Sequence, residues 1–74
     1  MDLRVDSAGQ VEVKVLNVTG QLVAVILSRT ESAGNYRISW DGRNRNGAVV
    51  GNGVYFIVVQ QPSGTVIRKV IVLK

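Results

Sequence analysis

The chain contains no cysteine and no histidine. That excludes disulfides, thiol chemistry and zinc held by Cys or His ligands. Without histidine, general acid–base work would fall to five carboxylates, none of them close to another in sequence. Ser and Thr have no evident base, and no glycine-rich phosphate loop leads into a lysine and a helix. The chain is therefore read as non-enzymatic and without a cofactor. Long apolar stretches are also missing. The run from Leu22 to Leu27 is far too short to cross a bilayer as a helix. Met1-Asp2-Leu3-Arg4 lacks the basic-then-apolar pattern of a signal peptide. Proline, tryptophan and phenylalanine occur once each.

What is present is valine and the other branched aliphatics. Hydrophobic residues make up 46% of 74 positions, enough for one core near the lower size limit for folding without staples. Branching at Cβ favours strands over helices. The net charge of +4 is compatible with nucleic acid or anionic lipid partners. The nine cations, however, are scattered and form no dense run, which fits an ordinary basic surface.

Leu3-Arg4-Val5 reads as a short strand, turned at Ser7-Ala8-Gly9. Val11, Val13 and Val15 alternate with Glu12 and Lys14, the pattern of a half-buried strand. Asn17-Val18-Thr19-Gly20 then supplies a tight turn, because Asn and Gly both tolerate positive φ. The same residues match a glycosylation acceptor, a coincidence in such a turn. Leu22–Leu27 is a strand apolar at every position, and residues 28–34 read as a polar connection. Tyr36, Ile38 and Trp40 alternate with Arg37 and Ser39, which places Trp40 at the centre of the core. Val54–Val59 is again wholly apolar. A turn containing Pro62 and Gly64 leads to a last strand over Thr65–Leu73, expected to be interrupted by Arg68-Lys69.

No segment has a helical period. Six to seven strands separated by turn signals predict an all-β fold, a small antiparallel β-sandwich occupying residues 1–74 as a single domain. A small closed barrel is the alternative. Strands of a two-layer sandwich bury one face and wet the other. Leu22–Leu27, Val54–Val59 and Val70–Leu73 are apolar on both, and 74 residues offer no third layer. Either one outer sheet face docks on a neighbouring domain, a second copy or another protein, or apolar β-branched side chains are simply tolerated on the outside.

The polar stretch Asp41-Gly42-Arg43-Asn44-Arg45-Asn46-Gly47 partly matches an EF-hand loop. The match is at Asn44-x-Asn46-Gly47, which makes Gly42 the first position and Gly53, rather than Glu, the twelfth; two arginines occupy the cation's place, so a structural loop is the better reading. Asp41 is expected to accept backbone N–H bonds, with Gly42, Gly47, Gly51 and Gly53 permitting reversals. Base stacking on Tyr36, Trp40, Tyr55 or Phe56 is disfavoured, because basic residues do not flank several aromatics on one strand.

Val11-x-Val13-x-Val15-x-Asn17-x-x-Gly20-x-x-Val23, Trp40-Asp41-Gly42-Arg43, Gly47, Val50, Gly53-Val54-Tyr55-Phe56 and Arg68-Lys69-Val70 together carry a family resemblance. The chain resembles the immunoglobulin-like domain of the bacterial flagellar hook-capping (hook-assembly scaffold) protein. It is also similar to C-terminal domains of secreted bacterial proteins, some of them type IX secretion sorting domains. The resemblance spans nearly the whole chain and is most specific from Trp40 to Phe56. It departs where Val49 stands in place of a common Pro, and it lacks the Asn-Pro-Phe stretch that often precedes the first strand. It implies an immunoglobulin or fibronectin-III type sandwich at the C-terminus of a larger exported protein, secreted or at the cell surface. The first expected role is a sorting or attachment module recognised by secretion machinery, and the second a structural domain of a hook-assembly scaffold. Self-association through the apolar face suits either. A carbohydrate-binding module using exposed aromatics is a third reading.

Overall fold

The alternation at Val11, Val13 and Val15 fixes where the core lies. In the computed structural model, which describes residues 2–74, the strands are β1 (Asp2–Val5), β2 (Gly9–Leu16), β3 (Leu22–Glu31), β4 (Gly34–Arg37), β5 (Gly53–Gln61) and β6 (Gly64–Val72). No helix occurs among the described residues. β1 pairs with β4, and the other strands form a four-stranded sheet in the order β3-β2-β5-β6, every pair antiparallel. The architecture is the expected small immunoglobulin-like β-sandwich.

The inner face of the large sheet supplies most of the core. Val11, Val13, Val15 and Val59 have no exposed surface, and Ile57 is nearly as buried. Val13 lies opposite Val59 and Val15 opposite Ile57, so the β2 and β5 side chains share one face. Leu3 and Val5 of β1, with Ile38 just beyond β4, close over them from the small sheet. Two strands do not cover four. β6 therefore lies at the rim, where inward-facing Val66, Val70 and Val72 are only half-buried.

Three expectations need adjusting. Trp40 is not the centre of the core: it is half-buried and packs against the core from outside, while the fully buried side chains are all valines. Regular pairing of β4 ends at Arg37, so Trp40 lies beyond the strand, where its indole N–H can reach a loop carbonyl. Next, residues 28–31 are strand rather than connection. Ser28, Arg29, Thr30 and Glu31 pair with Glu12, Val11, Gln10 and Gly9. Backbone pairing does not require apolar side chains, and Arg29 and Glu31 satisfy one another across this polar end. Finally, β3 is not a uniform strand. Its register with β2 shifts between Val13 and Lys14, where Ile26 has no partner, so Ile26 and Leu27 both pack against the core.

At the Glu31 end of β3, the Tyr36 hydroxyl donates to the Ser32 carbonyl. Partial burial, followed by the nearby Glu31 carboxylate, raises its pKa above the usual 10.0. A raised acid pKa means that the folded state holds this proton more tightly. The contribution to stability is full below pH 10.0 and is lost as pH climbs through the folded value.

Val13→Ala removes two methyl groups from a site with no exposure and should cost about 2 kcal/mol in urea denaturation. Val25→Ala, on the outer face, should shift stability by less than about 0.5 kcal/mol. Tyr36→Phe should flatten the fall in stability measured above pH 10.0.

Candidate interaction surface

The segment between β4 and β5 is ordered by its own side chains. Asp41 Oδ1 accepts the Arg43 N–H at 3.1 Å, as its residue type predicts. Asn44 Oδ1 accepts two N–H groups, from Asn46 at 2.9 Å and Ala48 at 3.0 Å. Backbone bonds from Asn44 N to Ala48 O and from Val50 N to Gly42 O, with an Arg43–Val49 bridge, make the loop a small irregular hairpin. Gly42 and Gly47 take φ of +75° and +84°, a conformation that L side chains rarely adopt. The Arg43 guanidinium donates to Gly47 O at 2.9 Å, which puts a cation inside the loop that partly matches a calcium motif.

Aromatic residues anchor this hairpin to the sandwich. Trp40 Nε1 donates to Arg43 O at 2.9 Å, and the Tyr55 hydroxyl donates to Gly51 O at 2.9 Å. The two rings meet edge to face, with centroids 5.3 Å apart. Arg45 N donates to Val23 O, tying the hairpin to the edge of β3, and Lys74 Nζ bonds Val50 O. With both polar tips engaged and the rings packed together, Trp40 and Tyr55 are braces for the loop rather than flat platforms for a sugar. Tyr55 and Phe56 are consecutive on β5 and so face opposite sides of the sheet, which separates the aromatics a nucleic acid would stack on.

The Asn17 turn lies at the same end. Asn17 Oδ1 accepts from Thr19 N, Thr19 Oγ1 and Gln21 N at 2.8–3.0 Å, while its Nδ2 donates to Gln21. Gly20 N donates to Asn17 O and takes the positive φ by itself; Asn17 does not share it. Asn17 works through its side chain, whose Oδ1 accepts three bonds and whose Nδ2 donates one within the turn. Asn17 and Tyr55 line one shallow cleft, and Trp40, Asp41 and Gly47 line its neighbour of about 470 Å³. Asn44 and Arg45 border both. Gly53 opens β5 opposite Val72, apart from this cluster. Of the motif residues, Asn17, Trp40, Asp41, Gly47 and Tyr55 thus gather at one end of the sandwich. The sequence suggested Asn44 only as part of a calcium-loop match and not as a cap, although an Asn two and four residues ahead of the N–H groups it caps is an Asx-turn signal.

The surface left over is the outer face of the large sheet. Cross-strand partners share a face, so the register gives its rows. One row runs Leu22, Leu16, Phe56, Lys69, and the next Val25, Lys14, Val58, Ile67; Val54 and Ile71 extend the patch. Ile67 and Ile71 are each 57% exposed and Val25 46%. The apolar outer face expected from the doubly apolar strands is present. Unpaired charge on the molecule is of one sign. Asp2, Asp6, Glu12 and Glu31 pair with Arg37, Arg4, Lys14 and Arg29, and Asp41 caps the loop. Among the described residues, Arg43, Arg45, Arg68, Lys69 and Lys74 have no carboxylate partner.

Residues 3–65 match the family model described as FlgD Ig-like domain. No curated protein and no solved structure matches the chain.

Asn44→Ala should cost about 1–2 kcal/mol by leaving two loop N–H groups without their acceptor. Amide exchange at Asn46 and Ala48 should accelerate, while Val13 and Val59 in the core stay protected.

Proposed function

The chain belongs to the FlgD Ig-like domain family, with residues 3–65 covered by the match, and from this we propose that it is a non-catalytic structural domain of a flagellar hook-assembly protein. It acts at or outside the bacterial cell surface by contact with other proteins. The family match carries this reading. The outer sheet face supports it, because among the described residues nothing covers this apolar patch, as is typical of surfaces that contact other proteins. The match favours the scaffold role and gives no support to the type IX sorting role.

Deleting this segment from its full-length protein in the source organism should abolish hooks seen by electron microscopy. Leu22→Glu with Val25→Glu should do the same while leaving the fold intact by circular dichroism, since both side chains already face solvent. Normal hooks in the deletion strain would overturn the proposal.

A further inference from the structure

We infer that β6 offers its free edge to an extended segment of a partner protein that carries two adjacent carboxylates flanked on each side by apolar residues. The inference rests on reading the outer face as a protein contact, and it names the chemistry of what arrives there.

β6 ends the strand order of the large sheet, so alternate N–H and C=O groups along Gly64–Val72 point away from β5. Among the described residues, no backbone bond outside the β5 pairing reaches β6. The opposite edge, on β3, is less open: Arg45 N already bonds Val23 O, and the strand is bulged at Ile26. β6 contains no proline and keeps a continuous register with β5. Nine residues of regular edge are long enough to template another strand.

The side chains of β6 specify what would pair there. On the outer face Lys69 lies between Ile67 and Ile71; on the inner face Arg68 lies between Val66 and Val70. Each face thus presents a cation between two apolar residues, and neither cation has a carboxylate partner among the described residues. Arg68 makes only a long bond of 3.3 Å to Ile67 O. A strand laid alongside satisfies both faces when it reads apolar-apolar-acidic-acidic-apolar-apolar, with its outer side chains continuing the patch of Val54, Phe56 and Val58. A second copy of the chain does not fit. Two antiparallel β6 edges in full register would set Arg68 against Arg68, and a register one residue away would set Arg68 against Lys69; nowhere does the sequence have two adjacent carboxylates to relieve either.

The test uses residues 1–74 and an octapeptide with two central glutamates flanked on each side by two valines and a terminal serine. Two control peptides replace the glutamates by lysines or one valine by proline. The acidic peptide should slow exchange of alternate β6 amides and bind at least about tenfold more tightly than the lysine peptide, with the proline peptide weakened. Arg68→Glu with Lys69→Glu, both solvent-exposed, should reverse the charge preference. Binding without charge preference, chemical-shift changes without slowed exchange on β6, or no binding at millimolar peptide would each overturn the inference. Hook loss on deleting the segment is read independently, so failure here and failure of the scaffold role are distinguishable.

Discussion

Everything in this sandwich depends on one slab of contact, the packing of Val11, Val13 and Val15 against Ile57 and Val59 beneath Leu3 and Val5. With no disulfide and no metal-binding cysteine or histidine, apolar burial must offset the chain entropy of a small domain. Valine suits the position. Its branched side chain loses little freedom in a strand and fills a thin interlayer without polar atoms to satisfy. The larger aromatics lie around this slab rather than in it, because Trp40 and Tyr55 each carry a polar tip that needs an acceptor.

That arrangement gives the aromatics a second task. Trp40 and Tyr55 hold the irregular hairpin between β4 and β5 through carbonyl bonds, while Asp41 and Asn44 satisfy its N–H groups from within. The most distinctive stretch of the sequence therefore builds a rigid end to the sandwich. The exposed apolar surface lies elsewhere, on the outer face of the large sheet. The hairpin has no unclaimed aromatic pair or carboxylate cluster, whereas the outer face has exposed apolar rows and one unpaired cation, Lys69.

Charge follows the same division. The carboxylates of the first half of the chain are matched by neighbouring cations, so its basic character is concentrated in the hairpin and the last strand. Exposed pairs of this kind add little to stability. Their effect is to leave uncompensated positive charge on the hairpin, held against the β3 edge, and on β6 at the opposite edge, which bears on long-range electrostatics more than on how tightly the domain folds.

Local pattern was enough to determine the all-β class, the alternation of β2, the two turns at Asn17–Gly20 and Pro62–Gly64, and the surplus of apolar faces. Each is written in period or turn chemistry within a few residues. The resemblance from Trp40 to Phe56 likewise pointed to the family that the match over residues 3–65 shows. Only the tertiary structure decided that β1 pairs with β4, that β3 continues through polar Ser28–Glu31, and that Trp40 stands outside the core. It also decided that Ile67, Ile71 and Lys69 share a surface with Phe56 and Val58. The physical reason is that strand pairing is made between backbones distant in sequence, and its register, which side-chain periodicity alone does not specify, determines which faces meet.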